Sequence, residues 1–512
     1  MFPIISFSQT TSQIENNTSE WAYYNSHGKL QYKTTQKGDK ILDFSFAGYM
    51  GGGVVIPDVP VKITVNPTGG DDTENIQSAI NEVSKMEFSG NFRGAVLLAP
   101  GNYTISKTIE ISTSGVVLRG SGSGLYGNIK STINLSGNPF NAITIRALRN
   151  SNNDENLNEQ ILTQITDPYI PSGTNTFMVS NAGKFNVGDL ISIDKPVTAK
   201  WVEFMQMHDL VRDGKPQTWL PVGSVLNTER EIVKISGNFI TVDVPLTDSY
   251  DSEFLNPPGV IVRKINTPNR IAHSGVENLH IVSPPQPISH TQRHFTALRI
   301  NGEDCWARNM FIEETMNSVA VGGKRITVER VTVQRKALHQ GSSRPAEFAP
   351  NGGQVLVDRC NVIADNVWFV ATGGKQSGPI VILNCKFTGD LTAESHQRWS
   401  TGMLYDNVRA ETGGIDFRNK GSMGSGHGWS MGWGVAWNCV AKNFVIQNPP
   451  GVHNWMIGCI GENIPKPRPF NQEPILPGGT LDSQGDPVTP VSLYLAQLKE
   501  RLGEQALKNI AY

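Results

Sequence analysis

The chain has 512 residues, among them 51 Gly and 30 Pro, with only 18% charged residues and a formal net charge of −2. It has no surplus of Lys and Arg for nucleic acid or an anionic membrane surface, and no apolar run approaches the roughly 20 residues that a membrane span needs. The length allows three compact domains, or a single solenoid whose core grows along one axis.

Residues 1–48 are predicted to form a polar N-terminal lead. Met1 to Phe7 is too short for a complete secretion signal, although it fits the cut end of one. Ser8 to Lys40 is rich in Ser, Thr, Asn and Gln. This composition favours export, so a secreted or periplasmic location is expected, with the signal removed or truncated.

Residues 49–163 begin with a predicted amphipathic helix. Asp72 is the expected N-cap, and the apolar positions that follow recur at helical spacing. They are Ile76, Ala79, Ile80 and Val83. Such a helix would cover the open end of a solenoid, where an exposed strand edge invites aggregation.

Two strand-and-turn units follow the helix, and their motifs resemble a known superfamily. Besides the Asp-Asp-Thr-x-x-Ile-Gln-x-Ala-Ile helix, the motifs are a Pro-Gly-x-Tyr turn at Pro100 to Tyr103 and a Leu-Arg-Gly-x-Gly turn at Leu118 to Gly122. This region resembles the start of the pectate-lyase-like right-handed parallel β-helix superfamily. The resemblance implies an all-β fold, a right-handed parallel β-helix. It implies no single activity, because that superfamily contains lyases, hydrolases, epimerases and phage tailspikes.

Residues 164–264 break the pattern and are predicted to form an inserted antiparallel β-subdomain with Gly and Asn turns. The middle of the insert, Trp201 through Trp219, concentrates aromatic side chains, methionines and His208. This segment either overhangs a substrate cleft or forms a hydrophobic plug packed on the solenoid.

Residues 265–462 repeat a short phrase whose last residue is small and apolar. These ladder residues lie 20–31 residues apart, which is a solenoid period; they are Leu279, Cys305, Val331, Cys360, Cys385, Val408, Cys439 and Cys459. All five cysteines of the chain share this phase. An odd count interrupted by apolar substitutes predicts one inward packing column, not disulfides or a zinc site.

Residues 463–512 form a Pro-rich tail that ends in a predicted helix. Thr489 is the expected cap, Pro490 suits the first turn, and Leu495, Leu498 and Leu502 make one apolar face. This face is expected to pack back on the solenoid. A dimer contact is the alternative, so both a monomer and a homo-oligomer stay open.

The candidate site is predicted from positions eight to eleven residues beyond each ladder residue. Stacked coils would bring these side chains into one strip, with His339 and His396 two turns, or roughly 10 Å, apart. The strip contains Glu313, Glu314, His339, Trp368, Phe369, Glu394, His396 and Arg418. Histidine, arginine, glutamate and aromatic side chains together are typical of a surface for sugar binding and proton transfer.

This strip favours a polysaccharide lyase that cleaves a uronic-acid-containing polymer by β-elimination. A cation must neutralise the uronate so that the C5 proton becomes acidic, a base must remove that proton, and an acid must protonate the leaving oxygen. His396 is the candidate base and His339 or Tyr405 the acid, while Arg398 can clamp the carboxylate. Alternatively, His396 and Arg398 only cap a turn through hydrogen bonds.

The Gly-rich stretch from Asp416 to Gly434 brings the backbone close to a ligand or to the next coil. It supplies three of the predicted substrate-binding residues, and others lie elsewhere on the repeat. The full predicted set is Arg418, His427, Trp429, Lys375, Arg344 and Glu314. At least one of Trp429, Trp433 and Trp437 is expected to offer a platform to a pyranose ring, with Trp429 the one assigned to substrate binding, and His427 is a third candidate histidine.

Two alternatives to a lyase follow from the same region. A glycoside hydrolase could use two carboxylates as acid and base, from Glu313, Glu314, Glu347, Asp365, Glu394 and Asp416. The Gly426-His427-Gly428 triplet is similar to one in polygalacturonase-type hydrolases, but the other motifs of that family are absent. The third possibility is a non-catalytic glycan-binding solenoid. A polysaccharide or oligosaccharide is the expected partner in every case; calcium is possible, without a ligand spacing to support it.

Overall fold

The computed structural model describes residues 17–125, 127–147, 161–266, 270–286, 292–338, 344–470 and 475–512. Within these ranges, no helix is both long enough and apolar enough to cross a membrane. The helices are α1 Thr73–Val83, α2 Ala199–Phe204, α3 Ser252–Leu255, α4 Leu493–Leu502 and α5 Glu504–Asn509, with a 3-10 turn at Tyr49–Gly51.

Strands dominate the chain. In chain order they are β1 Ala22–Tyr24, β2 Leu30–Tyr32, β3 Val61–Val65, β4 Gly94–Leu98, β5 Gly101–Ile105, β6 Ile109–Ile111, β7 Val116–Gly120, β8 Ser131–Leu135, β9 Asn141–Arg146, β10 Leu162–Gln164, β11 Tyr169–Ile170, β12 Thr176–Met178, β13 Leu190–Pro196, β14 Val211–Arg212, β15 Lys215–Pro216, β16 Val225–Ser236, β17 Phe239–Val242, β18 Tyr250–Asp251, β19 Ile261–Lys264, β20 Gly275–Glu277, β21 His280–Val282, β22 Thr296–Glu303, β23 Trp306–Glu313, β24 Val319–Gln334, β25 Ala346–Pro350, β26 Gly353–Asp358, β27 Asn361–Ile363, β28 Trp368–Thr372, β29 Ser377–Leu383, β30 Lys386–Thr388, β31 Thr392–Ser395, β32 Ser400–Asp406, β33 Arg409–Phe417, β34 Met431–Gly432, β35 Val435–Trp437, β36 Val440–Ile446, β37 Trp455–Ile457, β38 Ile460–Asn463 and β39 Thr480–Asp482.

From β3 onward, the strands outside the insert pair in parallel with the strands of the next coil, which makes a parallel β-helix with three faces. The two strands of the lead, β1 and β2, form a separate antiparallel hairpin. The first face, here the covered face, runs through β4, β7, β20, β23, β24, β26, β29, β32, β35, β37 and β39. The second runs through β5, β8, β21, β23, β24, β27, β30, β33, β36 and β38. The third, here the site face, runs through β6, β9, β22, β24, β25, β28, β31, β33 and β36. The predicted parallel solenoid is therefore confirmed, while its right-handedness stays a prediction.

The ladder positions mark a repeated corner of the coil. All eight ladder residues are buried to 1% exposure or less, and the five cysteines are free. The residue before each one has a positive φ of 49° to 63°; these are Asn278, Asp304, Arg330, Arg359, Asn384, Asn407, Asn438 and Gly458. Asn, Asp and Gly tolerate this left-handed conformation best, which explains the polar or Gly residue before each ladder position. The packing column predicted from the sequence is confirmed.

Helix α1 packs on the first coils through Ile76, Ala79, Ile80 and Val83, which join the core inside the β-helix. The predicted apolar face and the predicted N-cap position of Asp72 are both confirmed, but the Asp72 side chain makes no capping bond. The Asp71 carboxylate instead accepts from the Thr73 backbone N–H at 2.9 Å, because the Asp72 carboxylate is already bonded to the N–H of Thr68.

A second hydrophobic core lies outside the covered face. Residues 161–266 contribute a six-stranded antiparallel sheet in the order β10-β19-β13-β16-β17-β12. The segment from Trp201 to Trp219 packs against Trp399 and Trp429 of the solenoid. This packing agrees with the second interpretation, a hydrophobic plug on the solenoid. The end of the segment at Trp219 also borders the candidate site described below.

The N-terminal lead and the C-terminal helix complete this second core. Trp21, Ile41 and Leu42 of the lead are buried there, so from residue 17 onward the lead is part of the fold. Its backbone is tied to α4, because the Gln497 amide accepts from the N–H of Phe44 at 2.9 Å. The predicted C-terminal helix therefore packs back on the body of the protein.

Two details of the C-terminal helix differ from the sequence prediction. Ser492, not Thr489, is the N-cap, and its hydroxyl accepts from the N–H of Leu495. Leu502 is 45% exposed, so the apolar face ends one turn early. Thr489 lies three residues before the cap, whereas the Ser492 hydroxyl directly precedes the first turn, where an N-cap acts.

The stability contributed by this helix is expected to depend on pH through Asp406. The Asp406 carboxylate accepts from the Ser492 hydroxyl and the Tyr494 N–H, both at 2.8 Å, and burial raises its pKa to about 7. The folded pKa lies above the unfolded value, so this group stabilises the fold at low pH and loses that contribution as pH rises from about 4 to about 7.

Asp406→Asn should therefore gain stability relative to wild type as pH rises. Chemical denaturation at both ends of this window checks it, with exposed Asp213→Asn as control; identical pH dependence of both variants would contradict it.

Candidate active site on the third face of the β-helix

Outward-facing side chains on the site face form two parallel rows. In the first row Ala371, Glu394 and Asp416 are register partners on three successive coils. The second row lies two residues further along each strand and includes His396 and Arg418, because residues two apart on a strand share a face. The intervening Ser395 and Phe417 point inward and are buried. The sequence strip thus places Glu394, His396 and Arg418 together.

Glu394 is the centre of the candidate site. It is 2% exposed, its Oε1 accepts from the Nδ1–H of His396 at 2.7 Å, and the Lys420 ammonium bonds to the same oxygen. Thr392 donates to its Oε2 at 2.9 Å. Burial opposes the charge, but Lys420 and His396 outweigh it and lower the pKa of Glu394 to about 2. Glu394 is therefore a carboxylate held in place on both oxygens.

His396 is oriented by Glu394 and reaches the surface. With its Nδ1–H on the carboxylate, the ring keeps the Nε2 lone pair on its other side. The side chain is 20% exposed, and no described residue makes a recorded hydrogen bond to Nε2. Trp368 packs edge-on against the ring at 4.5 Å between centroids. A carboxylate-oriented imidazole with one free nitrogen is a suitable general base.

Asp416 has the opposite electrostatic environment from Glu394. Its Oδ1 is buried and makes no hydrogen bond within the described residues, and its Oδ2 lies 4.0 Å from Nη1 of Arg418. Burial raises the pKa of Asp416, and the neighbouring Glu394 charge raises it further. The face therefore presents two neighbouring carboxyl groups whose pKa values are shifted in opposite directions, Glu394 downward and Asp416 upward.

His427 belongs to the same cluster, as the sequence predicted. Its ring lies 4.8 Å from that of His396 on the Gly-rich loop that follows β33. Burial lowers the pKa of His427 to about 3, and His396 and Lys420 add to the effect. A histidine in this environment is neutral near pH 7. It can make a hydrogen bond to a ligand, but it carries no extra proton to donate as a general acid.

Arg398 ties the site to the insert through hydrogen bonds to protein atoms. Its Nε donates to the Trp219 carbonyl at 3.0 Å, and its Nη2 donates to the Ser425 hydroxyl at 2.6 Å. The remaining Nη1 donates to Gln397 at 3.1 Å. The alternative interpretation, a structural role through hydrogen bonds, therefore applies to Arg398, while Arg418 is the better-placed guanidinium.

Three other predicted side chains do not face the site. Tyr405 is fully buried in the core inside the β-helix, since β32 turns it inward. Trp429 is 2% exposed and donates to the Met205 carbonyl, so it packs under the insert and offers no platform to a sugar. The Glu314 carboxylate accepts from the backbone N–H groups of Lys336 and Ala337 and holds a turn.

The remaining predicted residues lie on the rim or outside the described part of the chain. Lys375 is exposed and lies one coil before Arg398, to whose carbonyl its N–H donates. Arg344 is partly exposed and donates to the Asn366 side chain at 2.5 Å. His339, the first candidate acid, falls outside the described residues. The roles predicted for Lys375, Arg344 and His339 therefore stay predictions.

Lys420 is the functional candidate that the sequence prediction missed. It is 3% exposed and lies within the Gly-rich stretch, where a lysine is ordinarily solvated. One sequence signal points to it: Lys420 lies four residues after Asp416. A turn there folds the Lys420 side chain back over the first row, onto Glu394. Within the described ranges, no group of three or more His, Cys, Asp or Glu is placed to hold a metal ion.

Comparisons with known proteins give no family. No family model matches the sequence, and no curated protein matches it. Solved structures that align include the tailspike gp49 from Pseudomonas phage LKA1, at 13% identity and TM-score 0.35 over 76% of this chain and 56% of that one. The gp54 tailspike of Acinetobacter baumannii bacteriophage AP22, in complex with a capsular saccharide, aligns at 11% identity and TM-score 0.33 over 77% and 61%.

A third aligned structure is the A-module of the mannuronan C-5 epimerase AlgE6 from Azotobacter vinelandii, at 11% identity and TM-score 0.28 over 86% of this chain and 98% of that module. The chain thus spans less than two thirds of the length of either tailspike.

Proposed function

We propose that the protein is a polysaccharide lyase that cleaves a uronic-acid-containing polymer by β-elimination. The observation that carries this proposal is the Lys420–Glu394–His396 arrangement, in which a buried ion pair fixes a partly exposed imidazole whose second nitrogen has no hydrogen bond to a described residue. Arg418 lies on the neighbouring coil, two residues beyond Asp416 as His396 lies two residues beyond its register partner Glu394, and its guanidinium approaches Asp416 at 4.0 Å.

Each step of the elimination has a residue in this arrangement. His396 Nε2 removes the C5 proton, while Arg418 binds the uronate carboxylate and stabilises the negative charge that spreads onto it. The C4–O bond breaks as the C4–C5 double bond forms, and the leaving oxygen takes the proton of Asp416, whose pKa is raised by burial. Solvent then removes the proton from His396 and returns one to Asp416. This replaces Tyr405 as the candidate acid.

A glycoside hydrolase is the second candidate, and one specific observation favours it. Glu394 and Asp416 are register partners on adjacent strands, and their environments shift their pKa values in opposite directions. A pair of carboxyl groups with opposite shifts is the usual acid and base arrangement of a glycosidase. In that mechanism Asp416 would protonate the glycosidic oxygen, and Glu394 would act as base or nucleophile.

Product analysis separates the two activities. The purified protein is incubated with polygalacturonate, alginate, hyaluronan and uronate-containing capsular polysaccharides, and both new reducing ends and ultraviolet absorbance of the C4–C5 double bond are recorded. We expect both signals to rise together on at least one polymer. Reducing ends without the absorbance would select the hydrolase, and binding without either product would select the glycan-binding solenoid. Such polymers are met outside the cytoplasm, so export of the protein is part of the proposal.

A further inference from the structure

A trough runs along the site face from the catalytic rows toward the N-terminal coils. The first row continues back from Glu394 through Ala371, Ala349 and Ala320 to Arg299. The second row continues back from His396 through Gly373, Asn351 and Gly322 to Asn301. Between the two polar ends, the outward positions therefore carry a methyl group, a hydrogen or one short amide.

At Gly322, contacts between coils do not require so small a residue, whereas at Gly373 an added Cβ would lie 3.2 Å from Asn351 Oδ1. A Cβ added at Gly322 would come no closer than 3.4 Å to another atom, and its φ is not left-handed. Outward positions of a solenoid can hold long polar side chains, as Glu394 and Arg418 show on the later coils. The short residues keep the floor of the trough low over the distance between its two ends.

The far end of the trough is a polar cavity of about 400 Å³. Asn301, Arg299 and Arg146 line it together with Asn141 and Glu110. Arg146 pairs with Glu110 at 2.9 Å, whereas Arg299 donates its Nε to the Asn141 amide oxygen at 2.9 Å and has no carboxylate partner among the described residues. The amide holds the guanidinium in place and leaves its charge uncompensated. The cavity thus fits an anionic group of modest size.

We propose that this cavity is a distal subsite that binds a uronate of the same polymer chain whose cleaved bond lies at His396. The inference rests on the proposed function and extends it. Arg299 and Glu394 are four strand steps apart, or roughly 19 Å at about 4.8 Å per step. Short oligomers cannot span the trough and the site together, so the enzyme acts preferentially on long chains bound along the helix axis.

The test compares long and short oligomers of the polymer that is cleaved fastest in the panel above. We expect Arg299→Ala and Ala349→Trp each to lower the ratio of kcat/KM for long over short oligomers by about ten-fold, which corresponds to loss of one charge-assisted contact or to blockage of the trough. Arg299→Lys should restore part of the ratio. Arg409→Ala, an exposed arginine paired with Glu411 on the second face, is the matched control and should leave the ratio unchanged.

Failure of the subsite can be distinguished from failure of the proposed function. An unchanged ratio in both trough variants would overturn the subsite while leaving elimination intact. If wild type forms no unsaturated product, titration calorimetry with the same polymers still decides: weaker polymer binding by Arg299→Ala than by Arg409→Ala supports the subsite. Equal binding by both, or no binding of any uronate polymer, overturns it.

Discussion

Replacing His396 by alanine is expected to lower kcat by about 10²- to 10⁴-fold, the usual contribution of a general base. The reason is the position of His396, because Glu394 orients its imidazole and its side chain is partly exposed. Polymer affinity should change much less than kcat, since Arg418 and the trough residues are untouched. Initial rates of double-bond formation and calorimetric binding measure the two effects separately.

The control for this variant is His208→Ala, which removes an exposed histidine of the insert and should retain full activity. Retained activity in His396→Ala would remove His396 from the mechanism. Equal losses of kcat and polymer affinity would indicate a binding role and not proton abstraction.

The second large effect is expected from Glu394→Gln, which keeps the side-chain shape and removes the charge. Lys420 would then be a buried cation without its counter-ion, because both side chains are less than 5% exposed. Breaking a buried ion pair on one side costs about 3–5 kcal/mol of the free energy of unfolding. The imidazole of His396 also loses its orienting anion, so kcat should fall with stability. Chemical denaturation and initial rates check the two parts.

Glu411→Gln is the matched control, since it breaks the exposed pair with Arg409 and should cost about 0–1 kcal/mol. The double variant Glu394→Gln with Lys420→Met should recover much of the lost stability but none of the activity. A Glu394→Gln protein as stable as the Glu411→Gln control would show that the buried pair does not hold the site together.

The solenoid could be predicted from the sequence because the repeat is a local signal. Each coil needs a left-handed corner before its buried ladder residue, so residues such as Asn278 and Asn438 recur at the solenoid period. Inward and outward positions then alternate with the strand. This alternation is why the strip correctly grouped Glu394, His396 and Arg418.

The errors lie where tertiary contacts decide. Trp429 and Tyr405 could be placed on the repeat, but their burial depends on the insert and on the direction in which β32 enters the coil. Arg398 has the chemistry of a carboxylate clamp, yet the Trp219 carbonyl of a distant segment satisfies it. Lys420 was missed because a loop, with no period of its own, folds it back onto Glu394.

The most direct test of the account is the rate at which the enzyme cleaves a substrate deuterated at C5 of its uronate residues. Abstraction of that proton by His396 is the central claim, so the deuterated substrate should react more slowly than the protiated one at the same concentration. Equal rates, with products that contain new reducing ends but no double bond, would contradict β-elimination and assign Glu394 and Asp416 to hydrolysis.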